Sequence, residues 1–263
     1  MPVPGTDAEL TSFDTERGVL HAFCVPVPTS RRQVCLNEGP NRHMALVAQA
    51  HPFISARPRA RWAKIFLICT TVFNFFLLVL EATEGGLGAN KGVELYESLI
   101  GLVTLFYASA WFLSAVTFLS WLHRAVKNLS ALGARKLRFT PGWAVGWFFV
   151  PLLDLIRPYE AVTELWHASD PAIRSYEPAL RAAPAPVRWW WSLFILWVAT
   201  GRLGNQLSQA TSGGMFKGQA AHLLMIVSHI LEIPAAILAI RLIGAIDQNQ
   251  ERKRSASSIG APV

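Results

Sequence analysis

Residues 98–122 read SLIGLVTLFYASAWFLSAVTFLSWL, 25 residues without one charged side chain. A helix needs about 20 apolar residues to cross the ~30 Å hydrocarbon layer of a bilayer, so this run by itself points to a membrane protein. Two more runs agree. Residues 65–80 are extended by Trp62 and Ala63 on one side and Ala82 on the other, and residues 219–240 are long enough although they carry one carboxylate. A fourth run, 189–203, is shorter and opens with Arg188 and Trp189, Trp190 and Trp191, side chains that favour the headgroup level. The chain is 52% hydrophobic and only 16% charged, which excludes an ordinary water-soluble domain and a disordered polymer alike.

The stretch 139–166, FTPGWAVGWFFVPLLDLIRPYEAVTELW, fits neither pattern. Its apolar part, 143–156, is 14 residues, roughly 21 Å as a straight helix, which suits a re-entrant or interfacial segment better than a span. Thr140-Pro141 supplies a capping hydroxyl and a first-turn proline. Pro151 removes a backbone donor and predicts a kink, and Arg157-Pro158 predicts a second break. Beyond it, Tyr159, Val162, Leu165 and Trp166 recur at helical spacing opposite Glu160, Thr163, Glu164 and His167, the pattern of an amphipathic helix lying at the interface.

Charge chooses the topology. If 143–156 does not span, 21 of the 24 lysines and arginines fall on one side, leaving Lys91, Arg202 and Lys217 on the other; if it spans, only 15 share a side. Short cytoplasmic loops are enriched in Lys and Arg. The expectation is therefore an all-α membrane protein of the cell (inner) membrane, multi-pass, with both termini cytoplasmic. Four transmembrane helices, about 62–82, 98–122, 188–204 and 219–245, surround a proline-broken re-entrant segment, 142–156, and an amphipathic helix, 158–169. Five transmembrane helices are the alternative. Residues 1–60 read as a disordered tail, or as residues preceding a true start at Met44, and 246–263 as a basic flexible tail. The formal charge of +7 is then explained by inner-side cations facing anionic lipid, with no nucleic-acid partner. Membrane lipid is the expected partner, and a protein partner or homo-oligomer is left open. Cys24, Cys35 and Cys69 outline no disulfide framework.

Ionisable groups at membrane depth are functional candidates by default. Glu232 lies near the middle of the last run with His222 and His229 on nearly the same face, and Asn74 is a polar residue inside the first. The two histidines are two turns apart, roughly 10 Å, too far to share one ion on a straight helix, so no metal site is assigned. Asp154 and Arg157 have i, i+3 spacing for a local pair. Gly142, Ala144 and Gly146 are small enough for close helix approach, and Trp143 and Trp147 read as packing and membrane anchors. No phosphate-cradling loop, nucleophile elbow or metalloprotease helix occurs, so no catalytic residue and no cofactor is assigned.

Three phrases, N-x-x-x-L-G from Asn128, FTPGWAVGWFFVP at 139–151 and RPYEAVTELW at 157–166, carry a resemblance. The run 121–169 resembles the signature block of a bacterial membrane family, domain-of-unknown-function family 4328, and the likeness extends over about residues 60–245. It implies a multi-pass membrane protein and no particular activity. Asp154 departs from the pattern, since similar sequences carry asparagine there. Trp143, Gly146, Trp147, Pro151, Asp154, Arg157, Pro158, Tyr159, Glu164 and Trp166 form the candidate motif. Two functions fit: a non-enzymatic membrane scaffold or sensor, or a small transporter using the re-entrant segment and Glu232. The second requires Glu232, Asn74 and Asp154 to converge on a wet cavity.

Overall fold

The computed structural model describes residues 23–25, 34–36, 52–87, 93–173, 176, 182–210 and 214–259. The chain divides into two units, Met1–Ala50 and His51–Val263. In the first, β1 (Phe23–Val25) and β2 (Val34–Leu36) pair antiparallel with Cys24 opposite Cys35. The rest of the tail, and with it the reading of Met44 as a start, lies outside the described residues.

Among its described residues the regular structure of the second unit is helical: α1 (Arg57–Leu87), α2 (Val93–Ala131), α3 (Pro141–Gly146), α4 (Arg157–Ser169), α5 (Ala185–Gln209) and α6 (Gly214–Ile259). Among the described residues three segments are long and apolar enough to cross a membrane, Arg57–Ala82, Ser98–Ala131 and Gly218–Ala256. Their outward faces carry exposed Phe75, Phe76, Leu105, Phe112, Leu223 and Ile230, the composition expected of lipid-facing surface. Helix α5, 25 residues long, is less apolar and falls outside that set.

Contacts along the helices fix their directions. Ile54 meets Asn128 while Phe73 stacks on Phe106, so α1 and α2 are antiparallel. Arg57 meets Asp247 and Asn74 meets His229, so α1 and α6 are antiparallel. A Cβ on Gly204 would touch Met225 and the Ala221 carbonyl, whereas Ser228 bonds the Trp197 carbonyl, so α5 also opposes α6. The start of α1 and the ends of α2 and α6 therefore meet at one end of the bundle, the base.

The core sits at this base. Trp121, Leu122, Ala125 and Leu129 of α2, Val162 and Leu165 of α4, and Leu242, Ile243 and Ile246 of α6 are buried together. Two expectations are corrected here. Residues 246–259 are the last turns of α6 and not a flexible tail, because Ile246, Gln250 and Lys253 recur on one face and are buried; tertiary packing makes this polar stretch helical. Likewise α4 does not lay its apolar face on lipid: Ala161, Val162, Leu165 and Ala168 are buried in the protein core, and so is Glu164 from its polar side.

Between α2 and α4 the chain turns back repeatedly. Gly133, at φ 81°, ends α2, with Ala134 N donating to the Leu129 carbonyl, a left-handed C-terminal stop. Thr140 caps α3 by accepting from Trp143 N, and Pro141 opens its first turn. One 3₁₀ turn, Trp147–Phe149, follows before the helix breaks at Val150 and Pro151, and a second, Leu153–Leu155, precedes α4. At the apex Leu152 has φ 68° and is 80% exposed. This conformation is rare for a branched side chain and stores strain.

Candidate functional site

Because α1 and α6 pack centrally, with α2 against α1 and α5 against α6, α2 and α5 flank an open space. The result is a groove of about 750 Å³. Its walls are α2 and α5, its floor is α6 with Leu67 and Thr70 of α1, and Phe148, Phe149, Asp154 and Leu155 of the bent segment close its base end. At that end Phe118 of α2 meets Trp190 of α5 with ring centroids 6.0 Å apart, and Trp191 Nε1 donates to the Leu155 carbonyl at 2.9 Å. The bent segment is thus held as a plug by the tryptophans that open α5.

Few polar groups interrupt the apolar lining. Tyr107 donates to Glu232 Oε2 at 2.8 Å, across 125 residues of sequence. Among the described residues the other Glu232 oxygen has no hydrogen-bond partner. His229 also faces the groove, and its ring is held from behind, by Asn74 Oδ1 at Nδ1 and by Glu81 at 3.4 Å from Nε2. Asn74 Nδ2 donates to the His229 carbonyl at 2.9 Å, one turn before Pro234 interrupts the α6 ladder. Asp154 lines the base end and forms no ion pair among the described residues, and Arg202 lines the opposite mouth.

A second polar cluster lies below, at the base. Asn128 Nδ2 donates to the Ile54 carbonyl at 2.9 Å, and Gln250 Nε2 donates to the Ala125 carbonyl at 2.9 Å and to Ser169 Oγ at 3.2 Å. Lys253 Nζ donates to the Ala168 carbonyl at 2.9 Å. Glu164 accepts from the backbone N–H of Arg138 at 2.9 Å and of Phe139 at 3.1 Å. Burial pushes the Glu164 carboxyl above its ordinary range, against the opposing pull of those two donors and the Arg138 charge. Asn128, Glu164, Gln250 and Lys253 are each tied to the backbone of another segment, the arrangement that locks a fold.

The predicted residues divide between these places. Glu232, His229 and Asp154 share the groove, whereas Asn74 is fully buried behind His229 and does not line it. The expected Asp154–Arg157 pair is not formed. Arg157 opens α4 and bonds Glu160 at 2.9 Å, because the chain breaks at Ile156 and puts the two residues on different helical turns. Trp143 and Trp147 pack on each other at 4.8 Å, with Arg157 over the Trp147 ring. Gly146 faces only its own Trp143 ring and Gly142 opens on empty space, so Ala144 alone of the three small residues is buried. Pro158 is buried, Tyr159 and Trp166 pack against the core, and Pro151 forms the break. Among the described residues no three metal-ligating side chains come together.

Tyr107, Glu81, Gln250 and Lys253 were not marked as site residues by the sequence, and Asn128 was marked only as the start of the N-x-x-x-L-G phrase. A tyrosine at position 107, inside the otherwise most apolar run, was the readable sign, since a buried phenol requires a partner.

A family model described as a domain of unknown function, DUF4328, matches residues 87–248, and the chain belongs to that family. No curated protein and no solved structure matches it. The matched region includes α2 to most of α6, and therefore both the groove walls and the plug.

Proposed function

We propose that this member of the DUF4328 family is a non-enzymatic membrane sensor module that admits an apolar ligand from the bilayer into the groove between α2 and α5. The observation that carries this reading is the groove itself: about 750 Å³, within the roughly 300–1,000 Å³ of small-molecule sites, and lined mostly by aromatic and aliphatic side chains. A transport pathway is less well supported. Glu232 and Asp154 do converge, but Asn74 is withdrawn from the cavity, and the lining offers no continuous polar track for an ion.

Four crossings are part of the proposal. With the end of α2 at the base and α6 ending at the base, the chain must cross once more between them, and α5 is the only described helix long enough, about 38 Å at 1.5 Å per residue. Both termini would then be cytoplasmic in the cell membrane by the charge bias of their flanks. A single cysteine at 206, in a cysteine-free background, should react with an impermeant reagent in intact cells while one at 176 does not; the reverse pattern would overturn this topology.

The groove is tested by photolabelling with a neutral aryl-diazirine dissolved in vesicles. Trp111 lines the groove, whereas its neighbour Phe112 faces outward and does not. Labelling at Trp111 should saturate as the probe is raised, while labelling at Phe112 should rise linearly with its bilayer concentration. Linear labelling at both positions would refute a ligand site.

A further inference from the structure

Taking the groove as a ligand site, as proposed above, we infer that its ligand is a lipophilic organic cation, with the Glu232 carboxylate as counter-ion and tryptophan faces in place of water. The titratable side chains facing the groove are Tyr107 from α2, Asp154 from the plug, Arg202 from α5, and His229 and Glu232 from α6. Arg202 is exposed at the far mouth. His229 is committed to Asn74 and Glu81. Two carboxyl groups remain, one of them buried, and neither has a cationic partner among the described residues apart from the neighbouring His229.

An unpaired carboxylate away from water is costly and favours an arriving positive charge. The rings beside it favour the same charge. Trp111, Trp190, Trp191 and Trp197 line the groove with Phe118 and Phe194, and the face of an aromatic ring attracts a cation within about 6 Å. The apolar wall also selects the kind of cation. A small hydrated ion would lose its water to a surface without enough oxygen ligands, whereas an organic cation with aryl or alkyl substituents brings its own apolar shell. An anionic lipid headgroup is disfavoured, since only Arg202 would meet its charge.

Equilibrium dialysis of the purified protein in zwitterionic-lipid nanodiscs tests this with tetraphenylphosphonium and its same-shaped anion tetraphenylborate. Saturable phosphonium binding that the borate does not displace is expected. Glu232→Gln should weaken it by about thirtyfold or more, the scale for losing one partner of a desolvated charge pair. Should Glu232→Gln fail to fold, Asp154→Asn, at a half-buried position without an ion pair among the described residues, supplies the second readout and should still lower the affinity. Displacement by the borate, or unchanged binding in both variants, overturns the cation. If the neutral diazirine still saturates Trp111 in that case, the groove stands as a site and only the ligand's charge was wrong. Absence of any binding, with crosslinks through Trp111 joining two chains, would mean that a second copy fills the groove, and both readings would fall.

Discussion

The base of this bundle and the Tyr107–Glu232 pair in its groove use polar side chains in opposite ways. At the base, Asn128, Glu164, Gln250 and Lys253 each bond main-chain atoms of a segment other than their own helix. In the groove, Glu232 meets a side chain, Tyr107, and keeps one oxygen without a hydrogen-bond partner among the described residues. A polar group bound to backbone is fixed by the fold, and removing it leaves a buried carbonyl or N–H unsatisfied at about 1–3 kcal/mol each. A polar group bound to one side chain beside an empty space can exchange that partner. The first arrangement reads as architecture and the second as a site.

Mutations separate the two. The largest effect is expected for Gln250→Leu, which removes the second hydrogen bond of the Ala125 carbonyl and the bonds of Gln250 to Ser169 Oγ and to the Asn128 amide and should cost about 3 kcal/mol, measured as a lowered melting temperature in detergent with ligand binding lost only as the fold is lost. Glu164→Gln comes next. Its amide would set an N–H against the N–H of Arg138 or Phe139, for a loss of about 2 kcal/mol in the same assay. Leu152→Gly should act in the other direction, gaining about 1 kcal/mol by relieving a positive φ that only glycine adopts freely, since the leucine side chain is exposed. The smallest effect on stability is expected for Tyr107→Phe, under about 1 kcal/mol because the released carboxyl still faces the groove. That variant should bind tetraphenylphosphonium at least as tightly as the parent. A large loss of stability there would erase the distinction between base and groove.

The sequence revealed the parts of this picture that depend on local chemistry. Long apolar runs marked α1, α2 and α6, Thr140-Pro141 marked the start of α3, and Pro151 marked the break. Glu232 stood out as a carboxylate inside an apolar run. What it did not reveal depends on neighbours distant in the chain. Tyr107 and Glu232 are 125 residues apart, and Glu164 occupies the polar side of an amphipathic repeat, where an interfacial helix would expose it. Gln250 and Lys253 lie in a charged stretch whose composition suggests a solvated tail, yet α2 and α4 bury them. The groove left no local trace either, because it arises from the order in which the helices pack.

Occlusion tests the groove most directly. Ala108 lines it from α2, one turn from Trp111, and is exposed, so Ala108→Trp should obstruct the groove beside Trp111 without disturbing the core. The expected result is a melting temperature matching the parent together with loss of saturable labelling at Trp111. Saturable labelling that survives this obstruction in a folded protein would contradict the assignment of the site.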